Sequence, residues 1–376
     1  MNGQFTYRVS YSAILLVALF FMGAVFLYFV GIDAIEGRNG FLFYADSSTY
    51  HEAARGGLGF SEAIAVGANF LGPLLILKLT SANYYLVLLL NVALMFLAVR
   101  LFAKSLGLHG FKLLLVLLLN PMTISSLLSV NKEIISVVVM ALVIHGFKTR
   151  SVLAFLLALP LSLLVRWQLT LFVIVLIGVT GVWNPLRRHR WLTFAASLLL
   201  LSFLYIKMSL VFEGIQENFD AAAAVYEGSG FFEFLVRLQG QGMYWLVFPV
   251  KAAHLLFGMG VRFDRLFNPT VFYNDVFQVL HSFAMLLMFV ALWRSGRARI
   301  SNDLVYISVV YLLVFAMTPI YAPRYFYPVY VIWALALICP TPLPRVLPGR
   351  PGALERAKTA TSPPATLDEL PGGRNT

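Results

Sequence analysis

Long apolar runs, broken at short intervals by polar and basic clusters, fill most of this chain. They lie at about 11–31, 82–103, 112–130, 133–147, 151–165, 167–184, 191–211, 276–293, 304–320 and 325–340. A helical crossing of a bilayer needs roughly 20 predominantly apolar residues. The runs therefore predict an all-α protein, a polytopic transmembrane helical bundle of about ten spans. Several are short, at about 15 residues, and are expected to tilt or to pair beneath the interface. The first is too long for a typical signal-peptide core and shows no small-x-small cleavage pattern, so it reads as a retained anchor.

Two further apolar stretches do not fit as crossings. Residues 63–80 carry Gly67, Asn69, Gly72, Pro73 and Lys78, and residues 244–258 carry Pro249, Lys251 and His254. Counting either as a span would invert every loop that follows. Both are expected to be re-entrant or interfacial helices on the outer face, lying against the bundle as a lid or ledge.

Charge orients the threading. Arg100, Lys104, Lys112, Lys148, Arg150, Arg187, Arg188, Arg190, Arg294, Arg297 and Arg299 all fall on one side, which the positive-inside rule makes the cytoplasm. Of the 17 acids, 13 fall on the other side, from Asp33 to Asp275. This places both termini in the cytoplasm and leaves two large outer loops, 32–81 and 212–275. Residues 1–340 then form one transmembrane unit. Residues 341–376, rich in Pro, Gly, Thr and Arg, are expected to be a disordered cytoplasmic tail.

Composition agrees. The chain is 60% hydrophobic and 12% charged, with a mean hydropathy of +0.82, which a soluble domain cannot bury. The net charge of +11 comes largely from the short loops. It is a topology signal and points to membrane lipids, not to a nucleic-acid partner. One cysteine, Cys339, excludes an intrachain disulfide and a Cys-based metal site. The six histidines show no metal-ligand spacing, and no nucleotide-binding or nucleophile-elbow motif is present.

The threading gathers Asp46, Lys132, Glu133, Arg166 and Arg324 on the outer face. Ionisable residues at a bilayer edge are costly and mark function. Asp46, in Tyr44-Ala45-Asp46-Ser47-Ser48-Thr49-Tyr50, can act as a general base toward a sugar hydroxyl. It can equally start a helix, with Asp46 or Ser48 as N-cap or Thr49 to Glu52 as a capping box. Asn120-Pro121 loosens one span, and Asn131 can cap the next, whose first turn carries Lys132 and Glu133. A helix N-terminus beside an ammonium makes a phosphate seat; an interfacial ion pair is the alternative. Arg166 opens another outward helix start, before Trp167, where arginine is normally depleted; snorkelling to headgroups is its alternative. Arg324, in Tyr321-Ala322-Pro323-Arg324-Tyr325-Phe326-Tyr327-Pro328, suits bidentate phosphate contact. The aromatics and polar groups of the outer loops, Tyr50, Arg237, His254 and Tyr325 among them, suit a glycan.

These features resemble the GT-C class of integral-membrane glycosyltransferases, which use polyprenyl-phosphate or polyprenyl-pyrophosphate sugar donors. The resemblance covers roughly residues 10–340 and rests on Asp46 with Tyr50 after the first span, Asn120-Pro121 with Lys132-Glu133, and Arg324-Tyr325-Phe326-Tyr327-Pro328. It implies transfer from a polyprenyl-linked donor to a glycan or lipid-linked acceptor at the outer face of a bacterial inner membrane, within a surface-polysaccharide assembly and at the size of an exopolysaccharide or O-antigen polymerase. Asp46 and Glu133 would be catalytic, and Lys132, Arg166 and Arg324 would hold the lipid phosphate. The first outer loop lacks the Asp-x-Asp or Glu-x-Asp of the family pattern, so no divalent metal and no cofactor is assigned. A transporter or flippase of lipid-linked glycan is the competing class; it predicts charges deep within the spans, whereas these cluster at one face. A non-catalytic assembly subunit would make no use of the outer bases.

Overall fold

The computed structural model describes residues 11–31, 45–59, 61–62, 70–130, 132–207, 229–258, 276–318 and 323–339, and every regular element among them is helical. In chain order these are α1 (Tyr11–Val30), α2 (Ala45–Arg55), α3 (Leu71–Leu79), α4 (Tyr84–Leu106), α5 (Gly110–Leu118), α6 (Pro121–Leu128), α7 (Glu133–Thr149), α8 (Val152–Leu163), α9 (Trp167–Thr180), α10 (Arg190–Lys207), α11 (Ser229–Gly240), α12 (Tyr244–Phe257), α13 (Gln278–Arg294) and α14 (Asp303–Met317). A 3-10 turn, Pro323–Phe326, leads into α15 (Tyr327–Ile338). The tail from Thr341 lies outside the described residues.

Length separates these helices. Only α1, α4 and α10 are long and apolar enough to cross a membrane, and the bent pair α5–α6 makes a fourth if taken as one span. The other apolar runs expected to cross fold as shorter helices. At 12 residues, α8 and α15 reach about 18 Å, against a hydrocarbon core of about 30 Å. Local signals set helix boundaries. Ser151 and Asn302 cap α8 and α14 through their side chains, and Gly107 closes α4 in the left-handed conformation.

The run expected as a single span over 112–130 is broken, and its two halves meet at 94°. Pro121 has no N–H to continue α5, and Asn120 turns to extended backbone and caps α6 through the Met122 amide at 3.0 Å. The Thr49–Glu52 capping box is also not what forms. The helix begins four residues earlier, at Ala45, and Asp46 is its second residue.

Packing places the helix ends. Helix α4 lies between α1 and α7, α7 and α8 form a hairpin, and α9 packs on both α8 and α14. Helices α7, α14 and α15 bury most of their side chains, as helices apolar on most sides do inside a bundle. Tyr50, Ile76, Leu77, Val87, Val130, Ile135 and Val165 form one buried cluster. That cluster gathers α2, α3 and the N-termini of α4 and α7 with the ends of α6 and α8 at one end of the bundle. The opposite ends carry Lys104, Lys148 and Arg150. Large apolar side chains on α1 (Val17, Phe21, Val25, Phe29) and α10 (Leu199, Leu200, Phe203) are exposed, a surface suited to lipid.

The two stretches set aside as non-crossing behave differently. Helix α3 docks at the clustered end, where the Gly72 amide donates to the Leu164 carbonyl at 2.7 Å. A Cβ on Gly72 would meet that same oxygen at 2.7 Å, so only glycine permits the approach. Helix α12 is not a peripheral ledge: it packs against α10, α11, α13 and α14 and buries Tyr244, Val247 and Lys251.

Candidate functional site

The clustered end carries the residues that the threading places on the outer face. Glu133 opens α7 and Arg166 occupies the N-cap of α9, two helices that leave this end side by side with the α8 hairpin between them. Their side chains meet: Arg166 Nη2 donates to Glu133 Oε1 at 2.6 Å, with both groups buried. The guanidinium then lies on the Tyr325 ring, 4.3 Å from its centroid. Arg324, from the same 3-10 turn, approaches that ring at 5.4 Å. On the other side Lys132, the residue before Glu133, stands 5.5 Å from the Tyr50 ring of α2. Tyr50, Lys132, Glu133, Arg166, Tyr325 and Arg324 thus form a row in which two cation–aromatic contacts flank the Arg166–Glu133 pair.

This row holds three cations and one carboxylate. Arg166 is 3% exposed, and its Nε and Nη1 donors have no hydrogen-bond acceptor among the described residues. Glu133 engages one edge of the guanidinium and leaves these donors directed elsewhere. A buried N–H without an acceptor carries a desolvation cost of roughly 1–3 kcal/mol, more when charged. An anionic oxygen seated there would remove it.

The turn is held rigidly. Tyr311 of α14 donates its hydroxyl to the Tyr325 carbonyl at 2.7 Å. Tyr311 itself stacks on Phe315 at 4.1 Å and meets Phe172 of α9 edge-on. On α15, the Tyr327 hydroxyl and Thr123 of α6 share a hydrogen bond of 2.9 Å. Asn120, at the break of α5–α6, bonds His281 of α13 at 2.8 Å.

The structure therefore brings together Lys132, Glu133, Arg166, Arg324, Tyr50 and Tyr325. Asp46 belongs by position, on the helix that carries Tyr50 and four residues before it, but its side chain lies outside the described residues. Asn131 lies outside them too, as do the loop acids Glu213, Glu217, Asp220, Glu227, Asp264 and Asp275. Arg237 of α11 is exposed and lies against Phe234 at 5.8 Å. No contact joins it to the row among those described. His254 sits on α12, the helix that packs against the 3-10 turn. Among the described residues no cluster of three or more His, Cys, Asp or Glu side chains could hold a metal ion.

Two features were given no functional role from sequence, although Lys251 was noted within the 244–258 stretch. Tyr311 fixes the turn from beneath, and nothing in an apolar run marks one tyrosine for that role. Lys251 is fully buried and bonded to Gln239 and to the Thr318 carbonyl. Its signal, a lysine inside an apolar stretch, was visible. Comparison of this chain with protein-family models, with curated proteins and with solved structures finds no match.

Proposed function

We propose that this is a polytopic membrane glycosyltransferase of GT-C type, with its shorter helices completing a bundle of about ten membrane-embedded elements. It acts at the outer face of a bacterial inner membrane, both termini being cytoplasmic. The donor is a sugar or oligosaccharide on a polyprenyl phosphate or pyrophosphate, and the acceptor is a glycan or lipid-linked glycan of surface-polysaccharide assembly, repeat-unit polymerisation included. The observation that carries this reading is the buried Arg166 guanidinium, set between Glu133 and Tyr325 beside Lys132 and Arg324, with two donors unmatched at the edge of an apolar bundle.

In the reaction, the cations hold the lipid phosphate and stabilise the charge that develops on it as the glycosidic bond breaks. Asp46 takes the proton of the acceptor hydroxyl, which attacks the anomeric carbon in line and inverts it. Glu133, already engaged by Arg166, orients that guanidinium. Tyr325, partly exposed, offers an aromatic face to the sugar, while Tyr50, buried beneath Lys132, supports that cation.

The test is complementation of a deletion host at matched membrane levels, with lipid-linked precursor quantified in the same cells. Asp46→Asn should lower polymer output by about 100-fold or more, and Arg324→Ala by about 100-fold, with precursor accumulating on the outer leaflet. Normal polymer in both variants would end the proposal. Precursor trapped on the cytoplasmic leaflet would replace it with a flippase.

A further inference from the structure

We infer that Lys251 and Gln239 are positioning residues that deliver the Arg324–Tyr325 arm onto Arg166. The inference rests on the anion site just proposed and adds the part of the molecule that aims it.

A lysine with no exposed surface, deep among apolar helices, is expensive. Lys251 forms no ion pair among the described residues; its ammonium donates to the Thr318 carbonyl at 2.7 Å and to Gln239 Oε1 at 3.1 Å. Gln239 in turn donates through Nε2 to the Met317 carbonyl. Met317 and Thr318 are the last residue and the C-cap of α14. The terminal carbonyls of a helix have no partner within it, and the negative end of its dipole favours a cation. Lys251 and Gln239 supply both, from α12 and α11. A third bond, from the Tyr244 hydroxyl to the Leu313 carbonyl, ties the start of α12 to the same helix one turn earlier.

The location gives this cap its consequence. The chain leaves α14 at Thr318 and re-enters described structure as the Pro323–Phe326 turn, which carries Arg324 and Tyr325 and packs against α12. Tyr311, also on α14, holds the Tyr325 carbonyl. The end of α14 is thus the base from which the turn reaches Arg166, and Lys251 fastens that base. A methionine would fill the same volume but leave two buried carbonyls without donors.

The test uses the full chain in nanodiscs, with farnesyl phosphate as the probe and amide hydrogen exchange over residues 311–326 as a second readout. Lys251→Met should weaken binding about tenfold and raise exchange in that segment, and Lys251→Arg should restore most of both. Arg324→Ala should weaken binding without raising exchange at the end of α14, and Arg166→Ala should weaken binding as well. Wild-type binding by Lys251→Met, while the two arginine variants bind poorly, overturns this inference and leaves the anion site standing. Wild-type binding by both arginine variants overturns the anion site itself. Should Lys251→Met not fold, Gln239→Ala, which keeps the cation, must show the same two changes in weaker form; its failure to do so overturns the inference equally.

Discussion

At the scale of single residues, the Glu133–Arg166 pair governs the site. Two buried charges 2.6 Å apart offset part of each other's desolvation cost, and either one alone would be strongly destabilising. Glu133→Gln and Arg166→Met should each destabilise the protein in detergent by about 3–5 kcal/mol. The double variant should cost at least about 1 kcal/mol less than their sum, because it leaves no orphaned charge. Additive losses in a denaturation series would show that the two groups do not rely on each other. Each member was legible from sequence, since charge is rare in so apolar a chain and threading puts it on one face. The bond between them was not. It joins positions 33 residues apart, and the choice between a base, a phosphate ligand and an ion pair depends on packing that no local pattern encodes. The same holds for Tyr325, whose flat face on Arg166 follows from the 3-10 turn and from Tyr311 beneath it.

At the scale of elements, caps and breaks decide where helices stop. Asn120 serves two partners at the α5–α6 bend, the Met122 amide and His281. Asn120→Ala should cost about 1–2 kcal/mol, read as a lower unfolding midpoint; an unchanged midpoint would mean the bend does not need its cap. Gly72→Ala should loosen α3 from the α8–α9 turn, since the added carbon collides with the Leu164 oxygen. Faster exchange over 71–79 would register this, and wild-type exchange would refute it. The apolar runs gave helices nearly everywhere they were expected. Hydropathy averaged over a window is blind to the Asn-Pro break inside one of them, although the dipeptide itself was plain to see. Cationic caps recur: Lys251 closes α14, and Arg297 donates to the carbonyls of Ala336, Leu337 and Cys339 at the C-terminal end of α15.

At the scale of the whole molecule, the two ends differ in kind. One gathers the cation–aromatic row. The other carries basic residues, with Arg190 bonded to Asp303 and to the Ile300 and Ser301 carbonyls. Exposed Trp183, Trp191 and Trp293 stand at helix termini near those basic clusters, as interface anchors do. In a Cys339→Ser background, Arg55→Cys should label with a membrane-impermeant maleimide in intact cells, and Ser295→Cys only after permeabilisation. The reverse pattern would turn the row toward the cytoplasm and remove the site from the compartment proposed for it. In the proposed membrane topology the Glu133–Arg166 bond also implies an order of assembly at the ribosome. Glu133 would reach the edge of the bilayer first and its charge would wait there for Arg166. Helices α7, α8 and α9 are then expected to leave the insertion machinery as one unit. A nascent chain halted after Val165 would expose a lone carboxylate to lipid and become a substrate for quality-control proteolysis.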